Sequence, residues 1–299
     1  MNRASLSARS AASCSGSLRP AGKLAECLTT VLALLAVAVL IASCAMTSTR
    51  QATAQALDNI LADPHRSEAD RARDRYRHPK DTLLFFGIRP EMTVLEVWPE
   101  PGWYTDIIAP LLRDQGKYYA GVIEPDPGSR FVTRRLESFR DKLASDPTIY
   151  GKAVIVTYPS HGGDAVPPGT VDLVVTFRNL HNWMADDTVA SMLATAYRAL
   201  KPGGVLGVVD HRGSPALPQD PKAKSGYVTE EYAIKLIEAR GFRLLGTSEV
   251  NANPKDTKDY EQGVWTLPPT YRLGDKDREK YVEIGESDRF TLKFEKPAK

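Results

Sequence analysis

Thiols are nearly missing from this chain. Three cysteines occur in 299 residues, at Cys14, Cys27 and Cys44, and none follows. Everything after Cys44 is therefore without a disulfide framework, a cysteine nucleophile or a thiolate metal site. An excess of one charge is missing too. Lysine and arginine number 39 against 37 acids, and no basic stripe stands out, so nucleic acid is not an expected partner. No internal repeat or low-complexity block is present. Histidine is scarce, at five residues. What the chain does have is apolar substance: 42% hydrophobic residues can bury the core of one large domain or two small ones.

The N-terminal region carries its own pattern. Arg3, Arg9, Arg19 and Lys23 precede the apolar run TVLALLAVAVLIA (30–42). That run is shorter than the roughly 20 residues a membrane span needs, but it suits a signal-peptide core. A buried core helix and an uncleaved anchor are the competing readings. Ile41-Ala42-Ser43-Cys44 resembles a bacterial lipobox, which implies cleavage before Cys44 and lipidation of its thiol. The expected layout is a signal peptide over 1–43, a lipidated cysteine and tether over 44–66, and a folded domain over 67–299. The small polar stretch 45–56 is the reason for the tether. This layout implies a periplasmic lipoprotein of the bacterial cell envelope, held to a membrane through its lipid.

From residue 93 strands and helices alternate. Strands are expected at 93–98, 118–123, 153–158, 171–177, 205–210, 242–250 and 289–295. Helices are expected at 103–113, 130–143, 185–199 and 228–240, and Lys201-Pro202-Gly203-Gly204 reads as a helix stop and turn. Such alternation predicts an α/β fold, a mostly parallel sheet wrapped by helices on both faces and closed by an antiparallel C-terminal hairpin. The first strand-turn-helix unit is unusual. Trp98-Pro99-Glu100-Pro101-Gly102 keeps one glycine where a nucleotide-binding turn is glycine-rich.

Ligands of open α/β sheets bind at the carboxyl ends of the strands. There lie Arg178, Asn179, His181, Asn182 and Trp183 after the fourth strand, and Asp210, His211 and Arg212 after the fifth. His181 and His211 are candidate bases, because an imidazole titrates near neutral pH, and Asp210 is placed to orient one of them. Structural hydrogen bonding is the competing reading, with Asn182 as the cap of helix 185–199. A metal site is not expected, since neighbours on a strand point oppositely. Arg71 and Arg75, one helical turn apart, are able to reach a carboxylate or simply to face solvent. Ser160-His161 lacks the GxSxG elbow of a hydrolase and reads as loop.

VLEVWPEPGWYTDIIAPL (94–111), VDLVVTFRNLHNWM (171–184) and LKPGGVLGVVDHR (200–212) together resemble class I S-adenosylmethionine-dependent methyltransferases. NPKDTKD (253–259) and ESDRFTLKFEKP (286–297) are similar to the ending of predicted exported bacterial members. The resemblance covers about 67–297. It implies a Rossmann-like seven-stranded sheet with S-adenosylmethionine across the ends of strands one, two and four. It also implies Glu96, Trp98, Gly102, Glu124, Arg178 and Asn179 as cofactor contacts, Glu124 holding the ribose hydroxyls with Asp126 as second choice. Trp98 and Glu100 stand where the family usually has glycines. Two functions follow. One is a methyltransferase, expected as a monomer, acting on a small or envelope-associated acceptor. The other is a non-catalytic binding lipoprotein that keeps the fold. The stiff turn favours the second, as does the distance between an exported protein and a cofactor made in the cytoplasm. A sulfonium carries no phosphate, however, and an aromatic face such as that of Trp98 or Trp103 suits it.

Overall fold

In the computed structural model, which describes residues 47–298, the organising element is β1 (Thr93–Val97). Its β-branched, bulky residues fill a strand buried on both faces. It pairs in parallel with β2 (Lys117–Val122) on one side and β4 (Val171–Phe177) on the other, so that Glu96 lies opposite both Ala120 and Val175. Beyond β2 comes β3 (Val154–Thr157), and beyond β4 comes β5 (Leu200–His211), both parallel. The sheet is completed by β6 (Arg243–Ser248) and β7 (Arg289–Glu295) in the order β3-β2-β1-β4-β5-β7-β6. The last strand inserts antiparallel between β5 and β6, so the terminal hairpin is present but turned inward.

Period-two alternation sorts the core. Leu95 and Val97 point to one face, where α9 (Val189–Ala199) and α10 (Glu230–Glu238) lie over Val174, Leu206 and Phe290. Val94 points to the other, against Ile107 and Ile108 of α5 (Thr105–Leu112) and Leu136 and Phe139 of α6 (Arg130–Ser145). Lys201-Pro202-Gly203-Gly204 follows the end of α9, as expected, but continues as β5 instead of forming a separate turn. Gly203 N–H donates to Lys296 O at 2.7 Å, and Lys296 N–H donates to Gly204 O at 2.9 Å.

The expected tether needs correction. Residues 47–62 form a helix, α1, and from Thr49 onward the chain is one compact unit. Leu57 is fully buried, the Lys80 ammonium pairs with Asp58 at 2.6 Å, and Arg50 donates to Leu84 O at 3.3 Å. The stretch is small and polar, but alanine and glutamine are good helix formers, and Leu57, Ile60 and Leu61 supply an apolar stripe. The domain thus begins well before residue 67. Four short helices prolong this N-terminal cover and the rim of the sheet: α2 (Glu68–Arg71), α3 (Asp74–Arg77), α4 (Pro79–Phe86) and α7 (Pro147–Tyr150). The remaining helices are α8 (Leu180–Ala185) and α11 (Arg278–Ile284). The proposed signal peptide and Cys44 lie outside the described residues. Among the described residues no helix is long and apolar enough to cross a membrane.

Candidate active site

A cavity of about 480 Å³ opens at the carboxyl ends of β1, β4 and β5. Its floor is the turn after β1. Trp98 N–H still donates to Gly121 O at 2.8 Å, continuing the ladder, and then the backbone turns left-handed at Trp98, with φ 51°. A bulky residue in that region is strained. Arg178, the residue after β4, has φ 61°, so both strands that frame the cavity end in a left-handed residue. Asn179 ties these ends together. Its amide nitrogen donates to Val97 O at 3.0 Å and Thr176 Oγ1 at 3.1 Å, which makes it a brace between the strands.

Gly102, the surviving glycine of the turn, has φ 100°, and its bare Cα faces α6 instead of the cavity. A Cβ there would lie 3.2 Å from the Phe139 ring and 3.0 Å from the Lys142 side chain. The glycine is needed for helix packing.

Three acids lie around this turn, the candidates Glu96 and Glu124 and also Glu100, and burial separates them. Glu96 lines the cavity at 2% exposure, and its Oε2 accepts from Tyr118 Oη at 2.6 Å and Thr105 Oγ1 at 3.2 Å. Burial pushes its carboxyl up to about 7, against the lowering effect of those two bonds. Glu124 is not among the cavity residues. Its carboxylate accepts from Ser160 N–H at 2.9 Å and from the Ser160 hydroxyl, which hold it below the usual range. The acid that reaches the end of β2 from inside the cavity is Glu100. Its Oε1 accepts Ile123 N–H at 3.2 Å, its buried Oε2 has no partner, and burial raises its pKa. The sequence pointed to Glu124 because strand order marks that position, and nothing in it showed that Ser160 would occupy the carboxylate.

His181, Asp210 and His211 do meet. Asp210 is fully buried and accepts four hydrogen bonds: His181 N–H at 2.9 Å, His181 Nδ1 at 2.9 and 3.2 Å, and its neighbour's His211 N–H at 2.8 Å. With a carboxylate as its partner, Nδ1 of His181 is the donor, and Nε2 is the ring nitrogen left for a ligand. His211 hydrogen-bonds Ser287 Oγ through Nδ1 at 2.6 Å, and burial, then His181, push its pKa well below the usual value. The two imidazoles stand 5.1 Å apart and both line the cavity. One ligand-type atom from each of the three residues lies within 4.8 Å of the others. Strand alternation had argued against that meeting. It occurs because the Asp210 carboxylate folds back at the end of β5 to accept its own neighbour's amide. Asn182, expected to cap helix 185–199, sits inside α8, and α9 begins after Thr188.

The roof was not legible in the sequence. Val264, Trp265 and the Pro268-Pro269 pair come from the segment between β6 and β7 and cover the cavity, with the Trp265 ring 6.1 Å from that of His181. Of the two readings of Arg71 and Arg75, contact with a carboxylate is not the one observed. Arg71 donates to Arg66 O, and Arg75 lies over the Tyr76 ring. It is Arg73 and Arg77, also one turn apart, that reach a carboxylate, that of Glu286. The C-terminal ESDRF segment holds two acids, Glu286 and Asp288, and no local pattern marks the first as their partner.

The fold around this cavity is similar to that of solved structures at low sequence identity. A SAM dependent methyltransferase from Aquifex aeolicus is 17% identical with a TM-score of 0.51, over 80% of this chain and 98% of that one. The [4+2]-cyclase SpnF is 16% identical with a TM-score of 0.53, over 80% of this chain and 86% of the other. The fold is that of the class I S-adenosylmethionine-dependent methyltransferases. No protein-family model and no curated protein matches the sequence. In this methyltransferase fold the cavity lies across the ends of β1, β4 and β5, with Glu100 on the β2 side and the histidines on the β5 side.

Proposed function

We propose that the protein is an S-adenosylmethionine-dependent methyltransferase in which His181 is the general base. The observation that carries this reading is the hydrogen-bonded Asp210–His181 pair, which leaves Nε2 as the only unspent nitrogen of a ring lining the cavity. The donor set also fits the cofactor. Trp98, Tyr104 and Trp265 offer aromatic faces to a sulfonium. The orphaned Oε2 of Glu100 is an acceptor for a ribose hydroxyl, and Glu96 for an ammonium. A cavity of this size is typical for a small-molecule site.

Bound there, the cofactor supplies an electrophilic methyl group. The protein's part is positioning and proton removal. Asn179 fixes the two strand ends, and Trp98 and the Val264–Thr270 roof exclude water. His181 Nε2 takes a proton from the acceptor, while Asp210 holds the ring and stabilises the imidazolium that forms. Gly102 and Glu124 contribute indirectly, by packing α6 and by bracing the loop after β3. In this reading Cys44 carries a lipid that holds the enzyme to a bacterial membrane, and the acceptor is a small or envelope-associated molecule.

A specific observation favours a second reading. The Trp98 side chain and the buried Glu100 fill the turn that glycines usually leave open, as expected of a binding protein that has lost the chemistry. Calorimetric titration of the full-length protein in detergent with S-adenosylmethionine and S-adenosylhomocysteine decides between them. Micromolar binding, weakened about tenfold or more by Glu100→Gln and little changed by Glu124→Ala, supports the enzyme. Absence of heat at millimolar ligand rejects the cofactor, and a larger loss in Glu124→Ala rejects the assignment of Glu100.

A further inference from the structure

The β7 side of the cavity holds more positive charge than its partners neutralise. Glu286, only 2% exposed, is surrounded by guanidinium groups. Arg73 Nε lies 2.6 Å from its Oε1, Arg77 Nε lies 3.0 Å from its Oε2, and Arg289 also donates to Oε2. Arg178 is near enough for its charge to be felt by the same carboxylate, yet among the described residues it forms no ion pair of its own. Burial alone would raise the Glu286 carboxyl, but the arginines hold it well below its usual range. They also act on each other. Burial and then Arg289 lower Arg178 to about 10, and burial and then Arg178 depress Arg77.

Three guanidiniums thus share one carboxylate, and that of Arg178 stands near them without a carboxylate of its own. Both terminal nitrogens of Arg77, Nη2 of Arg73 and Nε of Arg289 are buried without a hydrogen-bond partner. Desolvated, unpaired donors are costly, and an oxyanion is the group that satisfies them. Arg178 and Arg289 line the cavity itself. Arg289 is paired with His211 across the β5–β7 ladder. The excess charge therefore stands beside the histidine pair, across the cavity from Glu100 and Ile123.

We infer that the acceptor of this site is an anionic molecule whose carboxylate or phosphate group is held by Arg178 and Arg289. The sequence had pointed to Arg178 as a cofactor contact, and its place in the arginine group moves it to the acceptor side. The word acceptor rests on the methyltransferase reading, while the oxyanion site does not.

The test titrates inorganic phosphate and acetate, at constant ionic strength, into the full-length protein in detergent. It is run with the protein alone and saturated with S-adenosylhomocysteine. The expected result is saturable binding of at least one anion, undiminished by S-adenosylhomocysteine. Arg178→Gln should weaken it about tenfold or more, and Arg178→Lys should retain part of it. Preference for phosphate or for acetate names the group the acceptor carries. Two results overturn the inference. If neither anion saturates while S-adenosylhomocysteine binds, the arginines are purely structural. If S-adenosylhomocysteine displaces the anion, they serve the cofactor's own carboxylate. Anion binding without any binding of S-adenosylhomocysteine leaves the oxyanion site standing and rejects the methyltransferase reading instead.

Discussion

The Asp210 carboxylate accepts both the backbone N–H and the Nδ1–H of His181, each at 2.9 Å. One buried acid therefore fixes the start of α8 and the tautomer of its second residue. Asp210→Asn offers the ring a donor as well as an acceptor and removes the charge that favours an imidazolium. In ¹⁵N spectra of the imidazoles, His181 should be Nδ1-protonated in the native protein, and the variant should lose that preference. Methyl transfer should fall by about 10²-fold to 10⁴-fold, the usual contribution of a positioned general base. An unchanged tautomer in the variant removes Asp210 from this role.

Glu96 makes stability depend on pH in the direction opposite to a salt-bridged acid. Its carboxyl titrates at 4.5 when unperturbed and about 7 in the fold, because burial disfavours the charge. Between those values the folded state holds a proton that the unfolded chain has released. Stability is therefore lost as pH rises through this window, and the loss levels off above it. Glu96→Gln abolishes that loss. The melting temperature of the variant minus that of the native protein should be larger at about pH 8 than at about pH 5. His211, neutral in the fold and protonated at acid pH when unfolded, acts in the opposite sense but is common to both proteins. A gap independent of pH means that Glu96 does not titrate in this range.

What the sequence made legible follows the range of the interactions. Strand β1 was readable because a run of β-branched and bulky residues has few other uses, and His181 and Asp210 because strand ends are where such sheets bind ligands. Both are consequences of local pattern and of a general rule of topology. Glu100 stands out in the sequence only as an acid where a glycine is usual, since its burial depends on Ile123 N–H, a partner at the end of β2. The arginine group around Glu286 joins residues more than 200 positions apart, Arg77 to Glu286 among them, and no periodicity connects such partners. Helix α1 was misread for a different reason. Its composition suits a tether as well as a helix, and only the groove that receives Leu57 decides between them.

The parallel core tolerates no side chain at Gly207 of β5. A Cβ there would come within 2.6 Å of the Phe86 ring of α4, closer than real contacts allow. Gly207→Ala should therefore push α4 away from the sheet and cost about 1–3 kcal/mol, the usual penalty of overpacking. Chemical denaturation measures this, and Phe86→Leu in the same chain should recover part of the loss by making room. Additive losses in the double variant would show that the two positions do not touch.

Leu57 tests where the folded domain begins. Its side chain is fully buried in the same core cluster as Leu83, Phe86 and Ile88, although it lies in a stretch whose composition reads as a tether. Truncating a buried leucine costs about 2–5 kcal/mol, through lost transfer energy and the cavity left behind. An exposed tether residue changes stability by no more than about 0.5 kcal/mol. The two expectations do not overlap. Leu57→Ala should lower the denaturation midpoint with little change in slope, as lost stability without a change in unfolded surface requires. Gln55→Ala, two residues earlier on the exposed side of the same helix, should leave the midpoint where it is. Equal midpoints for Leu57→Ala and the native chain would put the start of the domain back near residue 67, with α1 merely resting on its surface.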